Sequence, residues 1–477
     1  MECSFRYFFW IGVLFLLNID QSFQRLWVTT DDLENHINPE DLQEFLHMKT
    51  NISTTTEADD LSDRILGFAD PTETTTTLPV PDIVDCFGLG SLSRSVMTIF
   101  NMKPDSASSV NTQFYFMSRN MTTRVQVMPG TQFGLEWVDF KPRRKTVLIM
   151  HGFMSHSNAS WVNDMAQAFL AWADVNVIAV DWSGGGNTWK YWRAVANTRR
   201  VGSDVVGFMR QLMKETGART KDMHFVGHSL GAHIVSYVSY HLGKVARITG
   251  LDPAQPCFRT IDDTERLDAT DADYVDIIHT NGRLLSKIGF GFPERNGHSD
   301  FYPNGGMKQP GCNNDSIWSM VPFSARLQQA ICSHGRAYLL FTESLINKNC
   351  TFRGHQWDLT YEGVNTSLKA ACDKVGSCSE MGIRAIGLDR VPRANGSYFV
   401  LTTDKVPYCP TEWERRQPQR ELLSDLKRGF RLDRLYKTTT PAPTTNSASY
   451  VDPMGRSLVS TAFTTTTQKS WFYRWFG

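Results

Sequence analysis

Between residues 110 and 280 the chain alternates short apolar runs with longer segments whose apolar residues recur every three or four positions. The runs are 175–180, 223–226, 247–251 and 275–278, and the amphipathic segments between them lie at about 160–173, 201–215 and 230–242. A run apolar at nearly every position reads as a strand covered on both faces, and strands alternating with helix-length segments predict a largely parallel sheet under helices, an α/β fold. An earlier run, Thr146 to Met150, belongs to the same sheet, and the stretches 111–117 and 123–127 read as strands ahead of it. In open sheets of this kind the reactive residues belong at the carboxyl ends of the strands.

Outside this region the pattern breaks down. Residues 7–17 are apolar and are followed at once by Asn18, Asp20, Gln21 and Ser22. Eleven apolar residues suit the core of a signal peptide and are too few to span a bilayer, so residues 1–22 are read as a cleaved signal and the protein as secreted. Residues 23–82 are acidic and Thr-rich and cannot bury enough apolar surface to order themselves, which makes them a linker or pro-segment. The folded domain is placed at 83–410, and residues 411–477 form a basic and then Thr/Pro-rich tail. Within that tail, Trp413 to Lys437 carries eight Lys/Arg against four Asp/Glu. It reads as an interfacial helix on a membrane surface or as a heparin-like contact, with a solvated charged tail as the alternative.

Composition narrows the class. Lys+Arg and Asp+Glu are 49 each, so no net charge points to a nucleic-acid partner. The nine cysteines contain no Cys-x-x-Cys pair, which argues against a zinc ribbon or a thioredoxin-like site. Removing Cys3 with the signal leaves eight, an even number suited to disulfides in an oxidising compartment. Asn-x-Ser/Thr sequons at Asn51, Asn120, Asn158, Asn314, Asn349, Asn365 and Asn395 agree with secretion.

The chemistry centres on Met223 to His233, where an apolar run enters Gly-x-Ser-x-Gly and a helix-compatible run leaves it. That order is the sequence form of a strained strand-to-helix turn that lifts a nucleophilic serine, here Ser229, above a sheet. Gly-x-Ser-x-Gly alone is weak, with roughly 0.15 chance matches expected in a chain this long. Acyl transfer also needs two backbone N–H donors aimed at one oxyanion. They are assigned to Leu230, after the serine, and to Phe153, in the His-Gly-Phe that ends the run at 146–150. The order serine, acid, histidine excludes His151, His156 and His228 as the base, and His151 is read as a scaffold hydrogen-bonder. Asp252 follows the strand-like Arg-Ile-Thr-Gly-Leu directly and is the candidate acid. His279, His298, His334 and His355 remain as bases, and spacing does not separate them.

His-Gly-Phe at 151–153, Val-Asp-Trp at 180–182, Gly-His-Ser-Leu-Gly-Ala-His at 227–233 and Gly-Leu-Asp-Pro-Ala at 250–254 together resemble the pancreatic lipase family of secreted α/β-hydrolases. The likeness runs from about Asp85 to Cys409. Cys-Ser-His-Gly-Arg-Ala-Tyr at 332–338 is similar to the segment carrying the family's catalytic histidine, so the resemblance implies His334 as base with Ser229 and Asp252. It also implies a structural calcium loop, with carboxylates from Asp263, Asp268 and Asp271 and the carbonyl of Arg266. Asp263 stands where relatives often have the longer Glu, and a plain acidic surface turn is the alternative. A Cys312–Cys332 disulfide would tether a lid, mobile and apolar beneath, across residues 313–331, and Cys372–Cys378 resembles a second family disulfide. Cys86, Cys257, Cys350 and Cys409 stay unassigned, with a free buried thiol as one reading of Cys257. With 68 residues after Cys409, the tail is too short for the family's C-terminal β-sandwich, so no colipase-like partner is implied.

The expectation is therefore a triacylglycerol lipase acting on acylglycerols at a lipid–water interface, with structural Ca²⁺ and no organic cofactor. Both loops at the site's mouth, 313–331 and 282–296, have the length of triglyceride lipases. Phospholipase A1 is the alternative, and a non-catalytic lipid-binding or storage protein on the same fold is the competing class.

Overall fold

The computed structural model describes Cys86 and residues 103–427 apart from 131–132, 260–265, 284–287, 313–321, 373, 375, 387–394, 417–421 and 425, and also residues 449–451 and 457–459. The expected signal at 1–22, all of the segment at 23–82 and all of 83–102 except Cys86 lie outside these residues, as do the first part of the lid (313–321), Asp263 and much of the tail. No helix among the described residues is long and apolar enough to cross a membrane.

Strand β3 (Lys145–Met150) shows why the sheet must be covered twice. Its side chains alternate between faces. Leu148 and Met150 join one apolar cluster with Phe225, Val201 and Val205, while Val147 and Ile149 join another with Val226, Phe169 and Phe341. Around it the sheet has eleven strands in the order β10-β9-β11-β8-β7-β6-β5-β3-β4-β1-β2. The parallel centre consists of β3, β4 (Val175–Asp181), β5 (Met223–His228), β6 (Arg247–Leu251), β7 (Val275–Ile278), β8 (Ser299–Pro303) and β11 (Gly396–Val400). Antiparallel strands flank it: β1 (Gln113–Met117) and β2 (Val125–Val127) on one side, β9 (Arg353–Gln356) and β10 (Cys378–Glu380) on the other. This is the α/β-hydrolase architecture expected from the sequence.

Five helices matter for the site: α1 (Ser160–Trp172), α2 (Tyr191–Thr216), α3 (Leu230–His241), α4 (Pro322–Ile346) and α5 (Tyr361–Lys369). Helix α2 begins ten residues before the amphipathic pattern does, because Asn197, Thr198 and Arg199 are polar yet buried. It stops at Gly217, whose left-handed conformation lets its N–H close onto the Met213 carbonyl at 2.9 Å. Helix α4 has no counterpart among the expected elements. It takes up residues 322–331 of the expected lid loop, burying Leu327 and Ala330 and leaving Ile331 exposed. Helix continues through His334, so the candidate base rides on a rigid element.

The chain leaves β3 for β4 on one side and returns to lay β5 on the other. Strand order therefore reverses at β3, and the crevice beyond the carboxyl ends of β3 and β5 is where such a sheet takes ligands.

Four disulfides close long and short loops: Cys86–Cys257, Cys312–Cys332, Cys350–Cys409 and Cys372–Cys378. The free-thiol reading of Cys257 is thus wrong. Its partner lies 171 residues upstream, a pairing that no local spacing announces. Past Cys409 the core continues at least to Leu426, which is buried against Gly305. Separately, β12 (Ser449–Val451) and β13 (Ser457–Val459) pair antiparallel.

Candidate active site

Ser229 occupies the turn between β5 and α3 with φ 55° and ψ −120°, a conformation costly for a residue with a Cβ. The neighbouring glycines make the turn possible. A Cβ on Gly227 would run into the Gly231 carbonyl, and one on Gly231 into the carbonyl of Met150 at the end of β3. The start of α3 is therefore pressed against the oxyanion loop. A Cβ on Gly152 would likewise lie 2.7 Å from Ser229 Cβ, so Gly152 backs directly onto the serine.

Asp252 directly follows β6, fully buried, with φ 44°. Its Oδ1 accepts the Thr280 N–H at 2.8 Å, and both carboxylate oxygens lie 3.1 Å from the Asn281 N–H. Gly291 packs so closely that any side chain there would strike this carboxylate. The remaining partner is His334, whose Nδ1 lies 2.6 Å from Asp252 Oδ2. Because the carboxylate only accepts, Nδ1 carries the proton and Nε2 is left bare. The His334 side chain is 13% exposed, so that nitrogen is reachable. Its ring also lies 4.6 Å from that of His228, the residue before Ser229, and 5.6 Å from Phe290. Ser229 Oγ has no hydrogen bond among the described residues, and such contacts commonly tighten only when substrate arrives.

The other candidate bases have different employment. His279 is buried with Nε2 2.8 Å from Asp300 Oδ1 and Nδ1 2.7 Å from the Phe292 carbonyl, so both nitrogens are committed. His298 Nδ1 accepts the Val275 N–H at 3.0 Å. His355 sits on β9 beside Cys378, away from the serine turn.

Phe153 and Leu230, expected to supply oxyanion donors, flank Ser229 on two sides. Neither N–H meets an acceptor among the described residues. Stabilising a developing oxyanion takes two such donors converging on one point.

Sequence reasoning missed the wall behind the histidines. Trp161 stacks on Tyr338 at 4.6 Å, and His228 stands edge-on to Tyr338 at 5.0 Å. Burial and then the charge of the nearby His334 hold the His228 pKa well below its ordinary value, so it is neutral. Its Nε2 lies 3.3 Å from the His334 carbonyl. Nothing local marks this: Trp161 starts α1, and Tyr338 lies on α4.

Of the expected calcium loop, Asp263 lies outside the described residues. Asp271 Oδ2 accepts the Asp268 N–H and the Ser236 hydroxyl, each at 2.8 Å, and Asp268 Oδ1 accepts the Thr270 N–H at 2.5 Å. Burial pushes the Asp271 carboxyl up to about 6, and the neighbouring Asp268 adds to the rise. The Asp268 side chain also accepts the Asp271 N–H in a capping box, and among the described residues Asp271 Oδ1 has no hydrogen-bond partner. Ser236 and Ser239 tie this loop to α3, and His233 does so through the Leu267 N–H at 3.1 Å.

The family model "Lipase" matches residues 90–408. Mouse pancreatic triacylglycerol lipase is 33% identical over 326 residues, covering 66% of this chain and 68% of its own. The human enzyme of that name is 35% identical over 309 residues (63% and 65%), and coypu pancreatic lipase-related protein 2 is 34% identical over 325 (66% and 67%). The chain thus spans about two thirds of the length of the curated relatives it matches. With the matched region enclosing the serine turn, the acid and the histidine, the chain belongs to the lipase family and, with it, to the carboxylic ester hydrolases.

Proposed function

We propose that the protein is a secreted lipase hydrolysing acylglycerols through Ser229, His334 and Asp252. One observation carries the reading: a carboxylate–imidazole pair at 2.6 Å, its free nitrogen open, beside a serine in a strained turn and two unpaired N–H groups. In this reaction His334 Nε2 removes the proton from Ser229 Oγ as the oxygen attacks the ester carbonyl. Asp252 keeps the imidazole in the required tautomer and stabilises the cation that forms. The carbonyl oxygen, gaining charge, is held by the Phe153 and Leu230 N–H groups. His334 then returns the proton to the departing alcohol, leaving an acyl-Ser229 ester. A water, deprotonated by His334, releases the acid.

Support for an apolar substrate comes from the mouth of the site. Phe290, on the 282–296 loop, lies against His334 with ring centroids 5.6 Å apart. Apolar surface beside the base makes a charged headgroup costly to desolvate. Comparing kcat/KM on matched triolein and dioleoyl-phosphatidylcholine emulsions tests the preference. A faster phospholipid reaction would make the protein a phospholipase A1.

Secretion is supported by four disulfides and by the exposure of every described sequon asparagine, Asn120, Asn158, Asn349, Asn365 and Asn395. Asp268 and Asp271, with Asp263 and the Arg266 carbonyl, would hold a Ca²⁺ ion; two close, partly buried carboxylates fit a hard cation. Its place there is structural, bracing the loop that follows Asp252. The basic stretch 413–437 is proposed as a contact to lipid or to an acidic polysaccharide. Trp413, at its start, is 70% exposed.

A further inference from the structure

His151 is a buried titratable group that the reaction above does not use. Its ring is fully enclosed and lies parallel to the indole of Trp182, centroids 5.3 Å apart. Two hydrogen bonds fix its tautomer. The Trp182 backbone N–H donates to Nε2 at 3.1 Å, so Nε2 carries no proton and Nδ1 must. Nδ1–H lies 2.9 Å from the Gly152 carbonyl, which can only accept. Trp182 completes the clamp by donating its indole N–H to the His151 carbonyl at 2.9 Å.

The Gly152 carbonyl belongs to the same peptide unit as the Phe153 N–H. In a planar trans peptide the two point in opposite directions, so fixing the carbonyl fixes the N–H. Gly152 backs onto Ser229, and the Phe153 N–H has no acceptor among the described residues. We propose that His151 is a positioning residue for the oxyanion site: by holding the Gly152 carbonyl, it aims the Phe153 N–H at the carbonyl oxygen of the bound ester. This inference rests on the proposed ester hydrolysis. Burial keeps the ring neutral, pushing its pKa down to about 4, so the Nδ1–H tautomer is the form present while the enzyme works. Aligning the donor before substrate binds avoids reorganisation during the reaction, which is how such donors lower a barrier.

The test uses full-length H151N, H151Q and H151L beside wild type and S229A. Folded sites are counted by stoichiometric reaction with an alkylphosphonate, and a soluble short-chain ester serves as substrate. An Asn amide can reach the position of Nδ1, whereas Gln reaches that of Nε2. Complete loss of an oxyanion donor costs about 10²–10³ in kcat, so a misaimed one in H151L is expected to cost roughly 10–100-fold per titrated site, with KM nearly unchanged. H151N should recover much of that loss and H151Q little. The inhibition constant of an alkylboronic acid, which adds to Ser229 Oγ as a tetrahedral anion, should worsen across the variants in proportion to the loss in kcat/KM. A role in stability alone would lower Tm and leave kcat per site and boronate affinity in place, and that result overturns the proposal. If H151L yields no folded protein, the order of H151N over H151Q decides, and equal or reversed rates overturn it. Wild-type-like H151 variants beside an inactive S229A sink only the His151 role, whereas an active S229A sinks the serine-hydrolase reading itself.

Discussion

Lowering the pH from 7 to 5 should cost the fold about 2 kcal/mol through His224 alone. This histidine lies on β5 between the rings of Phe169 and Phe341, with centroids 5.9 and 6.2 Å away. Thr249 donates its hydroxyl to Asp276 at 3.0 Å, so it must accept from His224 Nε2–H, 2.8 Å away. Among the described residues Nδ1 has no acceptor for a second proton. Burial, followed by the positive charges of Arg247 and Lys145, holds the His224 pKa well below 6.5. Below about 6.5 the unfolded chain binds a proton that the folded chain refuses, so stability falls as pH drops toward the depressed folded value. With the folded-state proton refused throughout this window, the loss at pH 5 reaches its limit of about RT ln(1 + 10^1.5), or about 2 kcal/mol, and it is nearly absent at pH 7. Other groups titrate in the same window, His151 in the same direction and Asp271 in the opposite one, so the variant His224→Asn isolates the term. Urea unfolding of both proteins at pH 7 and pH 5 gives the required difference of differences. The variant, although less stable at pH 7, should lose about 2 kcal/mol less than wild type between the two. Equal losses would refute the claim that His224 is held neutral.

Asp252→Asn should lower kcat by on the order of 10⁴ while the protein stays folded, since the amide can present its N–H to Nδ1 and favour the wrong tautomer of His334; steady-state kinetics with a circular dichroism control checks this. Replacing Cys86 and Cys257 together by serine should cost about 2–5 kcal/mol in urea unfolding, the range for a disulfide closing a long loop, and no loss of stability would deny that bond a constraining role. Removing Ca²⁺ with excess chelator from protein shown to carry it should lower Tm more than it lowers turnover, because the ligands brace the loop after Asp252 without touching the reacting carbonyl. An unchanged Tm would count against the site.

The parts of the fold legible in the sequence were those with one dominant signal. Strands β3 to β7 are apolar on both faces, and their limits agree with the apolar runs to within about two residues. Beyond Ile278 that signal fades. Strand β8 is Ser-Asp-Phe-Tyr-Pro, and its Ser299 and Asp300 are fully buried because Asp300 pairs with His279 and accepts the N–H groups of Asn296 and Gly297. A buried polar network satisfied by distant partners looks like a surface loop in the sequence. The first turns of α2 were hidden for the same reason: Asn197 bonds Asp105, 92 residues upstream. At the site, glycine spacing and chain order singled out Ser229 and Asp252, whereas His334 needed family likeness because four histidines followed the acid. The Thr280 and Asn281 N–H groups that hold Asp252, and the clamp of Trp182 on His151, depend on contacts between separate strands.

The central claim is that Ser229 carries the acyl group. Incubating the purified protein with a triglyceride-like alkylphosphonate and mapping the adduct by peptide mass spectrometry tests it most directly, alongside turnover of Ser229→Ala. One phosphonate per molecule on the peptide containing Ser229 is expected, with Ser229→Ala unlabelled, folded and reduced in kcat by on the order of 10⁶. Labelling at another residue, or hydrolysis by folded Ser229→Ala at a rate near that of wild type, would contradict it.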